Sequence, residues 1–185
     1  MEKIRVDDLL KLDKEVLVNK IIVFPTDTVY GVGCLYKDNI GRDKIYNMKD
    51  RDYGKALPIL VGDIENARKI SKITPDMDKY ISIWPGALTI IFESTDSDYP
   101  HDTIAIRIPD SNIAIKMLKH FGPMEVTSVN ISGEKELNSV REIEEKFKDK
   151  IDYLVTDEVT LSKTPSTIIS LTPEFKVLRM GNIKF

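Results

Sequence analysis

Apolar positions along the chain recur with two spacings, which predict helices and strands in turn. Leucines and valines at helical spacing over residues 7–19, behind an aspartate suited to N-capping, predict a first helix. The apolar run over residues 21–24, ended by Pro25, predicts a buried strand. Residues 25–33 carry threonine, aspartate and glycine and are interpreted as a loop or strand turn.

The same two spacings continue to the end of the chain. They predict further helices over residues 40–49, from Asp63 onward, 74–84, 111–121 and 139–147. They predict further strands over residues 57–61, 88–92, 104–108, 126–129, 153–155, 167–171 and 176–179. No repeat, low-complexity tract or Pro/Gly-rich linker interrupts this alternation. We therefore predict a single α/β domain over residues 1–185, built on a mixed β-sheet.

The composition is that of a globular protein with few reactive side chains. Hydrophobic residues are 42% and charged residues 31%, and 27 basic against 30 acidic side chains give a net charge of −3. The single Cys34 excludes an internal disulfide framework and multi-cysteine metal sites. No apolar run approaches the roughly 20 residues that cross a membrane, and residues 1–10 lack a secretory core. A cytoplasmic protein without membrane contact is expected.

The chain lacks the sequence devices of several enzyme classes. It has no P-loop, no G-x-S-x-G elbow and no H-E-x-x-H. His101 and His120 are the only histidines and are interpreted as surface residues, and Cys34 as a small buried one. If the chain is an enzyme, its basic, hydroxyl and amide groups must work by positioning and by charge stabilisation.

Polar segments lie at the predicted strand ends. Residues 24–33 place hydroxyls and a tyrosine between a proline and two glycines, which suits either a binding site or a polar turn. Lys49 and Arg51, followed by Lys55, can converge on one anion such as a phosphate, although a solvated charge run is the commoner meaning. Residues 127–133 offer hydroxyl and amide groups, which can hold a phosphate or a base edge or form an Asx-type turn.

Arg107 and two late segments complete this set. A guanidinium inside an apolar strand is costly unless an anion pairs with it. The partner of Arg107 is either an internal acid or the carboxylate of an amino-acid ligand, and the sequence leaves both open. Residues 165–167 and 179–181 add a serine, a threonine and an arginine. Together the segments predict a cleft that binds phosphates and one carboxylate.

Taken in order, these segments resemble the YrdC-like threonylcarbamoyl-AMP synthase family. The resemblance runs from about residue 21 to residue 181 through F-P-T-D-T-V-Y-G-V-G, K-D-R, W-P-G-A-L-T, A-I-R-I-P, S-V-N, P-S-T-I-I and L-R-M-G. It implies an α/β fold with an open, twisted, mixed sheet around a concave basic cavity. It also implies the short, single-domain type of this family.

The resemblance further implies an activity and its site. The chain would join L-threonine, bicarbonate and ATP, with Mg²⁺, into threonylcarbamoyl-AMP and pyrophosphate, and a tRNA-modifying threonylcarbamoyl transferase would use the product. Lys49 and Arg51 are the expected catalytic residues, and no metal ligand is assigned. The residues expected to bind ATP are Lys49, Arg51, Lys55, Thr103, Ser128, Asn130 and Arg179. Those expected to bind threonine are Thr28, Arg107 and Ser166.

Four positions depart from the family pattern, and two rival functions stay open. Asp52 follows K-x-R where many relatives have proline, Leu60 stands where some have histidine, Pro165 replaces an acid, and Met180 replaces a proline. One rival is an RNA-binding module that uses the same cavity, against which the net charge argues. The other is an enzyme that forms a different carbamoyl-adenylate. Weak direct binding of RNA is also left open.

Overall fold

Ten strands and six α-helices make up the computed structural model of residues 1–185, which confirms the predicted α/β class. The strands are β1 (Glu2–Ile4), β2 (Ile22–Pro25), β3 (Tyr30–Leu35), β4 (Ile59–Leu60), β5 (Leu88–Glu93), β6 (Thr103–Arg107), β7 (Met124–Ser128), β8 (Tyr153–Val155), β9 (Thr167–Ser170) and β10 (Lys176–Arg179). The helices are α1 (Val6–Leu9), α2 (Asn39–Lys49), α3 (Ile64–Ile70), α4 (Asp78–Ile81), α5 (Asn112–Phe121) and α6 (Val140–Phe147). None of them combines the length and apolarity needed to cross a bilayer.

All ten strands belong to one open, mixed sheet. Their order is β1-β8-β2-β3-β7-β4-β6-β5-β9-β10, so β1 and β10 are its two edges. The parallel pairs are β1/β8, β2/β8, β4/β6 and β5/β9. The antiparallel pairs are β2/β3, β3/β7, β4/β7, β5/β6 and β9/β10. Strands that are distant along the chain, such as β2 and β8 or β5 and β9, are therefore direct neighbours in the sheet.

The core lies on both faces of this sheet. Ile22 and Phe24 of β2 belong to an apolar cluster that includes residues of α1 and α5. Val23, between them, belongs to another cluster, which includes residues of α2 and α6. Because successive strand residues point to opposite faces, β2 is buried on both sides, which explains its uninterrupted apolar sequence.

The predicted first helix over residues 7–19 is wrong. Helix α1 ends at Leu9, and a separate 3₁₀ turn covers Lys14–Leu17. Asp13 starts that turn, because its side chain accepts a hydrogen bond from the Glu15 amide at 3.2 Å. The predicted aspartate cap is wrong as well, since Arg5 is the N-cap of α1 and makes no side-chain bond there.

Two other predicted elements also differ from the structure. The loop predicted over residues 25–33 contains the start of β3, whose Gly31 and Gly33 pair with β7 despite the low strand propensity of glycine. The helix predicted over residues 74–84 divides into a 3₁₀ turn at Pro75–Met77 and the short α4. Thr74 precedes that turn but makes no capping bond.

Candidate active site

A cavity of about 780 Å³ lies against the sheet. Residues from seven adjacent strands line it, in the order β3, β7, β4, β6, β5, β9 and β10. The end of α2 and the loop after it complete the wall with Lys49, Arg51 and Lys55. Ligand pockets commonly have volumes of about 300–1,000 Å³, so this cavity has room for a small-molecule ligand.

All ten residues predicted for the site line this one cavity. They are Thr28, Lys49, Arg51, Lys55, Thr103, Arg107, Ser128, Asn130, Ser166 and Arg179. In sequence they are spread over 152 positions, from 28 to 179 inclusive. The sheet order brings them together, because β7, β4, β6, β5, β9 and β10 are direct neighbours.

Lys49, Ser128 and Asn130 form one hydrogen-bonded group. The Lys49 ammonium donates to Asn130 Oδ1 at 2.8 Å and to the Ser128 backbone carbonyl. Asn130 Oδ1 also accepts from the Ser128 hydroxyl at 2.7 Å. The Lys49 residue is only 2% exposed, and burial, followed by the charge of Arg51, lowers its pKa to about 8. A lysine ammonium has three N–H donors, so one is left for a ligand in the cavity.

Arg51, Lys55 and Arg179 bring positive charge to the cavity without an acidic partner. Arg51 donates to the carbonyls of Lys55 and Ala56 at 3.1 and 3.2 Å. Arg179 donates to the carbonyl and hydroxyl of Ser166 at 2.9 and 3.1 Å. Neither arginine nor Lys55 takes part in any of the salt bridges of the structure. Their charges are therefore available to an anionic ligand.

Arg107 has the internal acid partner that the sequence left open. Its Nη2 donates to Asp27 Oδ1 at 2.5 Å, its Nη1 to the Thr28 hydroxyl at 2.9 Å, and its Nε to the Gly86 carbonyl at 2.9 Å. Arg107 is 6% exposed, and burial lowers its pKa in spite of the Asp27 charge. These bonds use three of the five guanidinium N–H groups. Two are left for a second anion.

Asp27 is a functional candidate that the sequence analysis did not single out. It belongs to the quoted P-T-D-T segment, and the buried Arg107 is the signal that could have identified it, because such a charge requires a carboxylate. No sequence spacing links the two residues, which are 80 positions apart. Only the fold brings this pair together.

Ser166 joins two strands of the cavity wall. Its hydroxyl lies 2.8 Å from the Thr89 hydroxyl on β5. It also accepts a hydrogen bond from the guanidinium of Arg179, at the end of β10. Gly181 packs directly behind this segment, where an added Cβ would lie 2.3 Å from the Pro165 carbonyl oxygen. A glycine is therefore required here for the chain after Arg179 to pass this close to Ser166.

The family departures have visible positions in the structure. Asp52, Leu60 and Pro165 all line the cavity. Asp52 has a local role, because its carboxylate accepts a hydrogen bond from the Gly54 amide at 2.9 Å and shapes the turn.

Five basic residues and two acidic ones, Asp50 and Asp52, line the cavity. No group of three or more histidine, cysteine or acidic side chains is arranged to hold a metal ion.

The cysteine and the histidines do not contribute to this cavity. Neither His101 nor His120 lines it, and Cys34 is fully buried elsewhere in the core. Burial raises the pKa of the Cys34 thiol, so it stays protonated at neutral pH. The side-chain groups of the ten predicted site residues are thus cationic, hydroxyl and amide groups.

Comparison with known proteins places the chain in a family. A family model named for Sua5, YciO and YrdC, and described as "Telomere recombination", matches residues 15–181. A Methanocaldococcus jannaschii protein, provisionally named as a threonylcarbamoyl-AMP synthase, is 34% identical over 86% of this chain and 78% of its own length. The threonylcarbamoyl-AMP synthase of Bacillus subtilis is 30% identical over 89% of this chain and 51% of its own length.

A solved structure of a Sua5 protein also matches this fold. Sua5 of Pyrococcus abyssi, in complex with L-threonine, matches with a TM-score of 0.84 and 28% identity over 97% of this chain. The chain spans about half the length of that protein and of the Bacillus enzyme, since the matches cover 56% and 51% of them. The chain belongs to the Sua5/YciO/YrdC family.

Proposed function

We propose that this chain is an L-threonylcarbamoyladenylate synthase, which converts L-threonine, bicarbonate and ATP into threonylcarbamoyl-AMP and pyrophosphate. One observation carries the proposal: a single cavity contains four cations without acidic partners and a buried arginine with two free N–H groups. A triphosphate matches the first feature, and the carboxylate of an amino acid matches the second. The names of the Bacillus and Methanocaldococcus relatives support this activity.

Arg107 is the proposed anchor of the threonine carboxylate. Asp27 and Gly86 hold the guanidinium in one orientation, so little freedom is lost when a ligand binds. The hydroxyls of Thr28 and Ser166 lie on the same wall and can bond the polar groups of threonine. The relative from Pyrococcus abyssi was solved with L-threonine, which supports an amino-acid site in this fold.

Lys49 and Arg51 are the proposed catalytic residues, and they bind the phosphates together with Lys55 and Arg179. The threonine amine forms an N–C bond to the CO₂ that bicarbonate supplies and loses a proton, so that bicarbonate and the amine give a carbamate and water. The carbamate oxygen is already a nucleophile. This oxygen attacks the α-phosphorus of ATP as pyrophosphate leaves, so the reaction is a nucleotidyl transfer. The chain needs no activated serine or cysteine. It aligns the reactants and neutralises charge that develops on the phosphates.

The remaining parts of the proposal concern Mg²⁺, the nucleoside and the partners. Mg²⁺ is expected to arrive bound to ATP, because it is commonly held by substrate phosphates and water rather than by a protein cage. Thr103, Ser128 and Asn130 line the same wall and are the expected further ATP contacts. The product would pass to a tRNA-modifying threonylcarbamoyl transferase in the cytoplasm.

The function is tested by measuring pyrophosphate release from ATP with each substrate left out in turn. We expect release to require both threonine and bicarbonate, and mass spectrometry should detect threonylcarbamoyl-AMP. Serine and carbamoyl phosphate, each in place of threonine, separate this activity from the formation of other carbamoyl-adenylates. Equal release without threonine would reject the proposal.

Arg51→Ala is expected to lower turnover by about a hundredfold or more, because it removes a preorganised donor to the transferring phosphate. The free energy of unfolding should change by less than about 0.5 kcal/mol, since Arg51 is partly exposed and has no ion pair. Arg141→Ala is the matched control, because the Arg141 side chain is 87% exposed and pairs only with Glu145 on its own helix. Unchanged turnover in Arg51→Ala would contradict the site assignment.

A further inference from the structure

The loop after α2 holds two of the cations in the cavity, yet none of its residues is buried. We call residues 50–56 the cationic loop. Its residues from Asp52 to Ala56 are exposed, and Arg51 is partly exposed. The loop leaves the helix through Asp50, whose φ of 50° is in the left-handed region. Something outside the loop must fix its shape if Arg51 is to be oriented before a ligand binds.

Tyr46 on α2 is the buried contact that fixes the loop. The Tyr46 residue is 4% exposed, and its hydroxyl donates to the Lys55 carbonyl at 2.8 Å. Its ring stacks on Tyr53 of the loop, with centroids 4.5 Å apart and planes at 13°. Its backbone carbonyl accepts from the amides of Asp50 and Arg51. Tyr46 thus contacts both ends and the middle of the cationic loop.

The Lys55 carbonyl connects Tyr46 to Arg51. This oxygen accepts from the Tyr46 hydroxyl and also from Arg51 Nε, at 3.1 Å. A carbonyl oxygen has two lone pairs, so both are used. The only other bond of the Arg51 guanidinium goes to the Ala56 carbonyl, at 3.2 Å in the same loop. The orientation of the guanidinium therefore depends on a carbonyl that the Tyr46 hydroxyl holds in place.

We propose that Tyr46 is a positioning residue, which orients Arg51 for a polyphosphate ligand through the Lys55 carbonyl. The identity of that ligand as ATP rests on the function proposed above. Burial raises the pKa of Tyr46, so its hydroxyl stays a neutral donor at the pH of the assays. Without this hydroxyl the cationic loop samples more orientations, and ligand binding has to order it.

Tyr46→Phe is the direct test, because it removes one hydroxyl and keeps the stacked ring. Tripolyphosphate and ATP binding are measured by calorimetry, and turnover is measured in parallel. We expect affinity for both ligands to fall by roughly threefold to tenfold, the effect of one hydrogen bond. The KM for ATP should rise by the same factor, with kcat and the KM for threonine within about twofold. Tyr80→Phe is the control, since the Tyr80 hydroxyl makes no hydrogen bond and lies outside the cavity lining.

A double-mutant cycle separates positioning from a general structural effect. If Tyr46 acts through Arg51, Tyr46→Phe should weaken tripolyphosphate binding little further in the Arg51→Ala background. The same fold-loss in both backgrounds, or wild-type affinity in Tyr46→Phe, would overturn the proposal. If Tyr46→Phe does not fold, Tyr53→Leu replaces it in the same cycle. This change removes the ring that stacks on Tyr46, and Tyr53 is 57% exposed. Absence of threonine-dependent turnover in the wild-type chain, with the cycle intact for tripolyphosphate, would reject the proposed function but not the role of Tyr46.

Discussion

Lys49→Met is expected to abolish threonine-dependent turnover without lowering the free energy of unfolding at pH 7. Lys49 is nearly fully buried, and burial lowers its pKa from 10.5 to about 8. At pH 7 the folded protein therefore holds a charge that the unfolded chain would solvate better, which costs on the order of 3 kcal/mol. Methionine fills a similar volume without that charge. Asn130 Oδ1 keeps its bond from the Ser128 hydroxyl in the variant.

The pH dependence of this effect has a definite sign. Between pH 8 and 10.5 the unfolded chain keeps the Lys49 proton while the folded protein has released it. The free energy of unfolding contributed by Lys49 therefore rises with pH across this window. Urea unfolding at pH 7 and pH 10 should show the advantage of Lys49→Met shrinking as the pH rises.

Lys148→Met is the control for this experiment, because Lys148 is exposed, has no salt bridge and lies outside the cavity lining. It should show wild-type turnover and no such pH trend. A loss of more than about 2 kcal/mol in Lys49→Met at pH 7 would show that the buried ammonium stabilises the fold. Retained turnover would remove Lys49 from the proposed catalytic pair.

Arg107→Ala is expected to destabilise the fold by about 3–5 kcal/mol and to abolish threonine-dependent turnover. Stability falls because Asp27, whose side chain is 17% exposed, loses the guanidinium that pairs with it. Arg107→Ala combined with Asp27→Asn should recover part of the stability, because the second change removes the unpaired charge. The combined variant should still lack turnover, since the anchor for the threonine carboxylate is gone.

Denaturant unfolding and pyrophosphate release distinguish these two effects of Arg107. Lys116→Ala is a matched control, because its salt bridge with Asp7 joins two side chains that are 53% and 70% exposed. Its stability should change by less than about 1 kcal/mol. Wild-type stability in Arg107→Ala, or turnover in the combined variant, would contradict the account of this ion pair.

Much of the sheet could be predicted from the sequence because local signals specify its strands, whereas the ten site residues follow from the resemblance to the family. Strand β2 is a continuous apolar run, and α2 follows the capping residue Asp38, so their extents could be read from neighbouring residues. The resemblance assigns these ten residues through its ordered motifs and positions beside them, and all ten line one cavity.

The parts that could not be predicted have two causes. Some depend on contacts between residues distant in the chain, and others on side chains that bond nearby backbone amides in place of a helix. Strand β1 is only three residues long and pairs with β8, some 150 positions later. Residues 7–19 have helical spacing, but the Asp13 side chain bonds a nearby amide and starts a new turn. The salt bridge between Asp27 and Arg107, and the burial of Lys49, exist only once the strands are assembled.

The central claim is that one cavity holds a nucleoside triphosphate beside an amino acid. A crystal structure of the chain with L-threonine and a non-hydrolysable ATP analogue tests it most directly. We predict phosphate oxygens within hydrogen-bond distance of Lys49 and Arg51, and the threonine carboxylate on the two N–H groups of Arg107 that have no protein partner. A triphosphate bound outside the cavity, or a threonine that leaves Arg107 without a ligand contact, would contradict the account.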